Sequence, residues 1–198
     1  MPDEPFRIAP DEIEFSLAGV TLFLKTRPEL FSPRRVDAGT EAMLKCVSFD
    51  SDDRVLDLGC GCGVVGILAA KLIGASRVFL VDSDPLAVEC SKQNCIRNGV
   101  PETTVLLSDG FADFRETGLT KILSNPPYHT DFSVARRFIL KGFNRLVIGG
   151  QMWFVTKREA WYRNRLAAVF GGVQVRQVDG YCVMMAEKRR NSYARRIR

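Results

Sequence analysis

Asp57-Leu58-Gly59-Cys60-Gly61-Cys62-Gly63 is the stretch on which the fold turns. Residues 54–58 form a short apolar run suited to a buried strand, and residues 64–73 have helical spacing. A strand, a glycine-rich turn and a helix in succession predict backbone that approaches a ligand closely at the strand's end. The same alternation continues outward. Further strands are predicted at 78–82, 103–107, 121–125, 151–156, 173–178 and 181–187, and helices at 38–47, 85–98, 133–146 and 159–170. Pro85 suits a first helical turn, where its missing N–H goes unused, and Gly99 suits a helix stop.

This pattern predicts an α/β fold: a Rossmann-like, doubly wound seven-stranded sheet, mostly parallel and covered on both faces. Only Asp179-Gly180 separates the last two strands, so they must form an antiparallel terminal hairpin. A second hairpin is predicted over 14–26, around Ala18-Gly19, as an N-terminal extension that walls the ligand cleft. The expected division is 1–30 for this extension, 31–188 for the catalytic domain and 189–198 for a basic tail.

The 198 residues, 46% hydrophobic and 26% charged, suffice for one domain with a full core. No apolar run approaches the roughly 20 residues of a membrane span. The acidic, proline-rich start, Met1-Pro2-Asp3-Glu4-Pro5, does not read as a secretory signal, so a cytoplasmic protein is expected. Six cysteines and one histidine, His129, lack metal-ligand spacing; reduced thiols acting as small apolar groups, and no metal, are expected. The net charge of +5 is concentrated in the last eleven residues, with pairs at Arg34-Arg35, Arg136-Arg137 and Lys157-Arg158. Such patches attract polyphosphate, and they also solubilise a surface.

Gly61-Cys62-Gly63-Val64-Val65-Gly66 fits the GxGxxG template of dinucleotide sites, and Asp82 stands where a ribose-binding acid would. Asp57 argues against a dinucleotide. It would repel a pyrophosphate, whereas it would attract the ammonium and sulfonium of S-adenosylmethionine. On that reading Asp57, Gly59, Gly61 and Gly63 border the methionine end of the cofactor. Asp82 accepts from the ribose hydroxyls, and Ser83 lines the adenine pocket. Asp109 and Gly110, just after the third strand, read locally as a turn or helix cap.

Asn125-Pro126-Pro127-Tyr128 follows the fourth strand of the glycine-loop unit. An exocyclic amino or amide nitrogen is a poor nucleophile because its lone pair is delocalised. Two acceptors aimed at the NH₂ can hold it in line with a donor methyl: the Asn125 side-chain oxygen and the Pro126 carbonyl, the latter fixed by consecutive prolines. Tyr128 offers a ring on which a planar acceptor can stack. Asn125, Pro126 and Tyr128 are thus the expected catalytic residues, with Asn125 also bordering the cofactor, and positioning supplies most of the rate.

With these motifs the chain resembles the class I S-adenosylmethionine-dependent methyltransferases that act on exocyclic nitrogens. More narrowly, it resembles the catalytic domain of bacterial ribosomal-RNA small-subunit guanine-N2 methyltransferases. The matching features are Phe31-Ser32, Asp37-Ala38-Gly39-Thr40, Asn125 to His129 as NPPYH, residues 153–157, Tyr162, Leu166, Phe170-Gly171 and residues 180–188. The resemblance implies S-adenosyl-L-methionine as cofactor, RNA as partner and, as an equal alternative to the cap, an adenine-amino contact for Asp109 with Gly110 beside it covering the ring. Two departures stand out. Larger members carry an N-terminal domain that the 198 residues do not include, and Thr130-Asp131 stand where that family usually has a glycine. Methylation of a release-factor glutamine, DNA adenine methylation and a non-catalytic RNA-binding module stay open as alternatives.

Overall fold

The computed structural model describes residues 11–126 and 132–194. Its main sheet has seven strands: β3 (Val55–Leu58), β4 (Val78–Asp82), β5 (Thr104–Leu107), β6 (Leu119–Ser124), β7 (Leu146–Thr156), β8 (Gln174–Val178) and β9 (Tyr181–Glu187). Their order across the sheet is β5-β4-β3-β6-β7-β9-β8. The strands from β5 to β7 pair in parallel, and β9 runs antiparallel to both of its neighbours. The expected doubly wound sheet is therefore present, with its terminal hairpin. The hairpin turn has φ of 50° at Asp179 and 79° at Gly180, the left-handed pair that matches strand twist.

Among the described residues five α-helices cover the sheet: α1 (Ala38–Leu44), α2 (Val64–Ile73), α3 (Pro85–Arg97), α4 (Ser133–Arg145) and α5 (Glu159–Phe170). Apolar side chains of α1 and α2 join one buried cluster with Val55, Leu80 and Leu123. Those of α4 and α5 join a second with Leu56, Phe79 and Ile122. Neighbouring residues of one strand thus point into opposite layers, as the pleat requires. The short strands read as unbroken apolar runs because both faces are covered.

One difference from the sequence reading concerns β7, which begins at Leu146 rather than 151. Gly149-Gly150 looks like a break in the sequence. The strand instead passes through it with a register shift against β6, between Leu119 and Lys121. Lys188 makes this possible, because its N–H and carbonyl pair with Gly150 and Gly149 at 2.8 Å each. At the same amino edge Lys121 and Asp53 form a buried ion pair. Burial pushes Asp53 up, but the Lys121 ammonium and the Thr120 hydroxyl outweigh it and hold the carboxyl below its ordinary value.

The N-terminal hairpin comprises β1 (Glu12–Leu17) and β2 (Val20–Lys25) and forms its own two-stranded sheet. Its free edge is satisfied by side chains rather than by another strand. Asn98 accepts from Phe23 N–H and donates to the Phe23 carbonyl, both at 2.9 Å; Asn94 does the same for Lys25 at 2.8 Å. Two amides one helical turn apart thus imitate a pairing strand. The hairpin lies against α2 and α3, so it is not the cleft wall expected of it; the segment after it takes that place. At the other end Tyr193 packs edge-on against Phe143, and Ala194 N–H bonds the Val169 carbonyl. Residues 189–194 therefore leave from the amino edge of the sheet.

Candidate active site

The carboxyl ends of β3, β4, β5 and β6 open onto one cavity of about 410 Å³. Ligand clefts of open α/β sheets form at this edge, where the strand order reverses. Here the reversal falls between β3 and β6, and Asp57 and Asn125 come from those two strands' ends.

The glycine loop is held from below and behind. The Gly66 N–H donates to Asp57 Oδ2 at 2.9 Å, and the Gly61 N–H donates to Asp82 Oδ2 at 2.9 Å. Two side chains of α3 hold its carbonyls: Ser91 Oγ bonds Gly61 at 2.8 Å and Asn94 Nδ2 bonds Cys62 at 2.9 Å. Two glycines are needed for different reasons. Gly61 has φ of 56° with open space where a Cβ would project, so a side chain there would be strained. Gly66 faces β4 so closely that a Cβ would stand 2.4 Å from Leu80 Cδ1.

Asp57 is buried. Burial pushes its carboxyl up to about 7, against the Gly66 N–H, and the neighbouring Asp82 adds to the rise. Asp82 also accepts from Asp84 N–H at 3.0 Å, so each of its oxygens has one backbone donor and lone-pair capacity left. Asp109 is exposed and pairs with Arg137 of α4 at 3.0 Å, while Phe138 of the same helix packs against Gly110. Ser83 is exposed on the cavity wall.

Asn125 meets a segment 88 positions upstream. Its Nδ2 donates to Asp37 Oδ2 at 2.8 Å and to Thr40 Oγ1 at 3.0 Å. Asp37 Oδ2 also caps α1 through the Thr40 N–H at 3.0 Å. The amide nitrogen is thereby fixed toward α1, which turns the amide oxygen the other way. In the sequence, Asp37-Ala38-Gly39-Thr40 stands out only as a family likeness. An Asp-x-x-Thr cap before a helix is its local signal, and nothing local says that it reaches Asn125.

The cavity brings together Asp57, Gly59, Gly61, Asp82, Ser83, Asp109, Gly110, Asn125 and Pro126. Gly63 lies behind the wall, capping α2, where a Cβ would meet Ile67 at 2.9 Å. Tyr128 and His129 lie outside the described residues. Sequence reasoning missed Phe31, Arg35 and Val36 on the opposite wall; Phe31 is 61% exposed at its mouth. Among the described lining residues are four carboxyl groups (Asp37, Asp57, Asp82 and Asp109) and one cation, Arg35. All six cysteines are free thiols, and burial pushes Cys62 up to about 12. Among the described residues no helix is long and apolar enough to cross a membrane.

Residues 21–185 match the methyltransferase small domain family model. The chain is 32% identical over 188 residues to the ribosomal RNA small subunit methyltransferase C of Pseudomonas putida, covering 92% of this chain and 56% of that protein. It is also 32% identical over 192 residues to the ribosomal RNA large subunit methyltransferase G of the same species, covering 93% and 51%. A solved T. thermophilus 16S rRNA N2 G1207 methyltransferase, in complex with AdoMet and guanosine, superposes with a TM-score of 0.79 at 28% identity, covering 90% of this chain and 50% of that one. The chain thus spans about half the length of these relatives. With the glycine loop, the acids at the ends of β3 and β4 and Asn125-Pro126 all on one cavity, the chain belongs to the methyltransferase small domain family.

Proposed function

We propose that the chain is an S-adenosylmethionine-dependent methyltransferase acting in the cytoplasm on an exocyclic amine of RNA, most specifically guanine N2 of ribosomal RNA. The observation that carries the cofactor is the acidic lining at the ends of β3 and β4, Asp57 and Asp82, with Arg35 the one cation among the described lining residues. A pyrophosphate would be repelled there, and an ammonium-sulfonium ligand is drawn in. The acceptor rests on Asn125-Pro126 and on the guanosine bound by the T. thermophilus relative.

When bound, S-adenosylmethionine supplies a methyl group made electrophilic by its sulfonium. On this reading Asp57 faces the methionine end, Asp82 accepts from the ribose and Ser83, Asp109 and Gly110 border the adenine. The Asn125 oxygen and the Pro126 carbonyl accept from the acceptor NH₂ and turn its lone pair out of the ring plane. Tyr128 stacks on the base. No strong base is needed, because the proton leaves readily once the nitrogen is positive. Asp37 and Thr40 are positioning residues that orient the Asn125 amide. Guanine in a duplex is paired and stacked, so the substrate is an unpaired or flipped nucleotide.

Offering labelled cofactor to both ribosomal subunits, naked ribosomal RNA and a release factor tests the acceptor. Label in N2-methylguanosine of digested RNA is the expected result; label only in the release factor overturns it.

The Asp57 carboxyl gives a pH signature. Its proton is held up to about pH 7 and the unfolded chain releases it near the ordinary aspartate value, about 3.9. Between those values the native state holds more protons, so this group's contribution to stability falls as pH rises and levels off above 7. A cation beside Asp57 favours the ionised form. Cofactor affinity by calorimetry is therefore expected to weaken below pH 7, by up to about tenfold per unit, and Asp57→Asn to flatten the profile.

A further inference from the structure

Phe132 is the first described residue after the acceptor segment, and it stacks on Trp161 of α5 with centroids 4.2 Å apart and planes 11° from parallel. The Arg158 guanidinium lies 5.2 Å from the Phe132 centroid, and that of Arg165 lies 5.9 Å from Trp161. Lys157 lies 4.8 Å from the Tyr181 ring. Arg158 and Arg165 thus flank the ring pair, while Lys157 and Tyr181 lie at the same end of the strands on the other face of the sheet.

Its place in the fold is informative. Strand β7 runs parallel to β6, with Phe154 opposite Ser124. Lys157-Arg158 therefore leave the sheet at the same edge as Asn125-Pro126. Their charge also lacks a carboxylate partner among the described residues. Arg54, Arg97, Arg137 and Arg163 each have one, but no described carboxylate pairs with Lys157, Arg158 or Arg165. The nearest acid in sequence, Glu159, is turned to Gln177, Cys182 and Arg163. Lys157 and Arg158 also precede α5, where positive charge opposes the helix dipole. Folding alone gains little from this arrangement.

A guanidinium laid against a ring keeps its in-plane N–H groups available and its orientation fixed, which suits bidentate contact to a phosphate. Trp161 and Arg158 both lie over the Phe132 ring, so an unpaired base would stack on the exposed Arg158 guanidinium, which the rings hold in place. We propose that Lys157, Arg158 and the Phe132–Trp161 pair form a landing platform for the single-stranded RNA that flanks the target nucleotide, with Arg158 holding a phosphate. This rests on the RNA reading given above and names the surface that would carry it.

The test uses the full chain and a short single-stranded RNA carrying one guanosine. The Lys157→Ala, Arg158→Ala double variant is expected to raise the KM for RNA at least about tenfold at low salt. The log–log dependence on salt should become shallower by roughly 0.7 for each phosphate that is no longer neutralised. Calorimetric affinity for S-adenosylmethionine should hold. Arg158→Lys keeps the charge without the planar fork and should fall between. An RNA KM and salt slope equal to wild type would overturn the platform alone. A wild-type chain that methylates the release-factor amide and not RNA would overturn the acceptor reading, and the platform with it.

Discussion

Asn125→Ala is expected to lower methyl transfer about a hundred- to a thousandfold while cofactor affinity changes no more than a few fold, since preorganised hydrogen bonds at a reacting centre have effects of this order. The amide is held rather than merely present. Asp37 and Thr40 take both hydrogens of its nitrogen, at 2.8 and 3.0 Å. A companion variant separates position from chemistry. Asp37→Ala leaves the Asn125 oxygen in the protein but removes one of its anchors, so kcat should fall with the cofactor affinity held. Asp37→Asn keeps an acceptor toward both Asn125 and the Thr40 N–H and should recover most of the turnover. Turnover by the Asn125 variant at near wild-type rate would remove the clamp from the mechanism. Equal activity of the two Asp37 variants would remove the anchor.

Asp82→Ala is expected to weaken S-adenosylmethionine roughly a hundred- to a thousandfold. Two hydrogen bonds to a charged acceptor contribute about 1.5–3 kcal/mol each, part of which water recovers. The carboxylate also orders the loop, through Gly61 N–H at 2.9 Å and Asp84 N–H at 3.0 Å. Calorimetry reads the affinity directly, and kcat at saturating cofactor should be affected far less. An unchanged dissociation constant would place the ribose elsewhere.

Asn125 and Asp82 are visible before any fold is known, because their signals are local. Asp57 and Asp82 each end an apolar run, and a run followed by a turn and a helix can be read from a dozen or so residues. NPP restricts its own backbone. Asp179-Gly180 is short enough to force a hairpin. The two strands and turn of the N-terminal hairpin are legible for the same reason, with φ of 51° at Ala18 and 75° at Gly19.

Other features have no local sign. A hairpin turn says that β8 and β9 are antiparallel, but not that β9 inserts between β7 and β8. Asn94 and Asn98 read as ordinary polar positions on a helix, yet they complete the edge of β2. Two glycines suggest that a strand cannot start before 151; a backbone partner at Lys188 lets it begin at Leu146.

By itself the sequence determined the alternating α/β architecture and the edge at which Asp57, Asp82 and Asn125 stand, because strand period, turn conformation and helix capping depend on near neighbours. Only the tertiary structure decided that Asp37 and Thr40 would grip Asn125, that the segment after the hairpin would line the cavity, and that Phe132 would meet Trp161. Those contacts join residues far apart along the chain, and their geometry exists only once both clusters of the core have packed against the sheet.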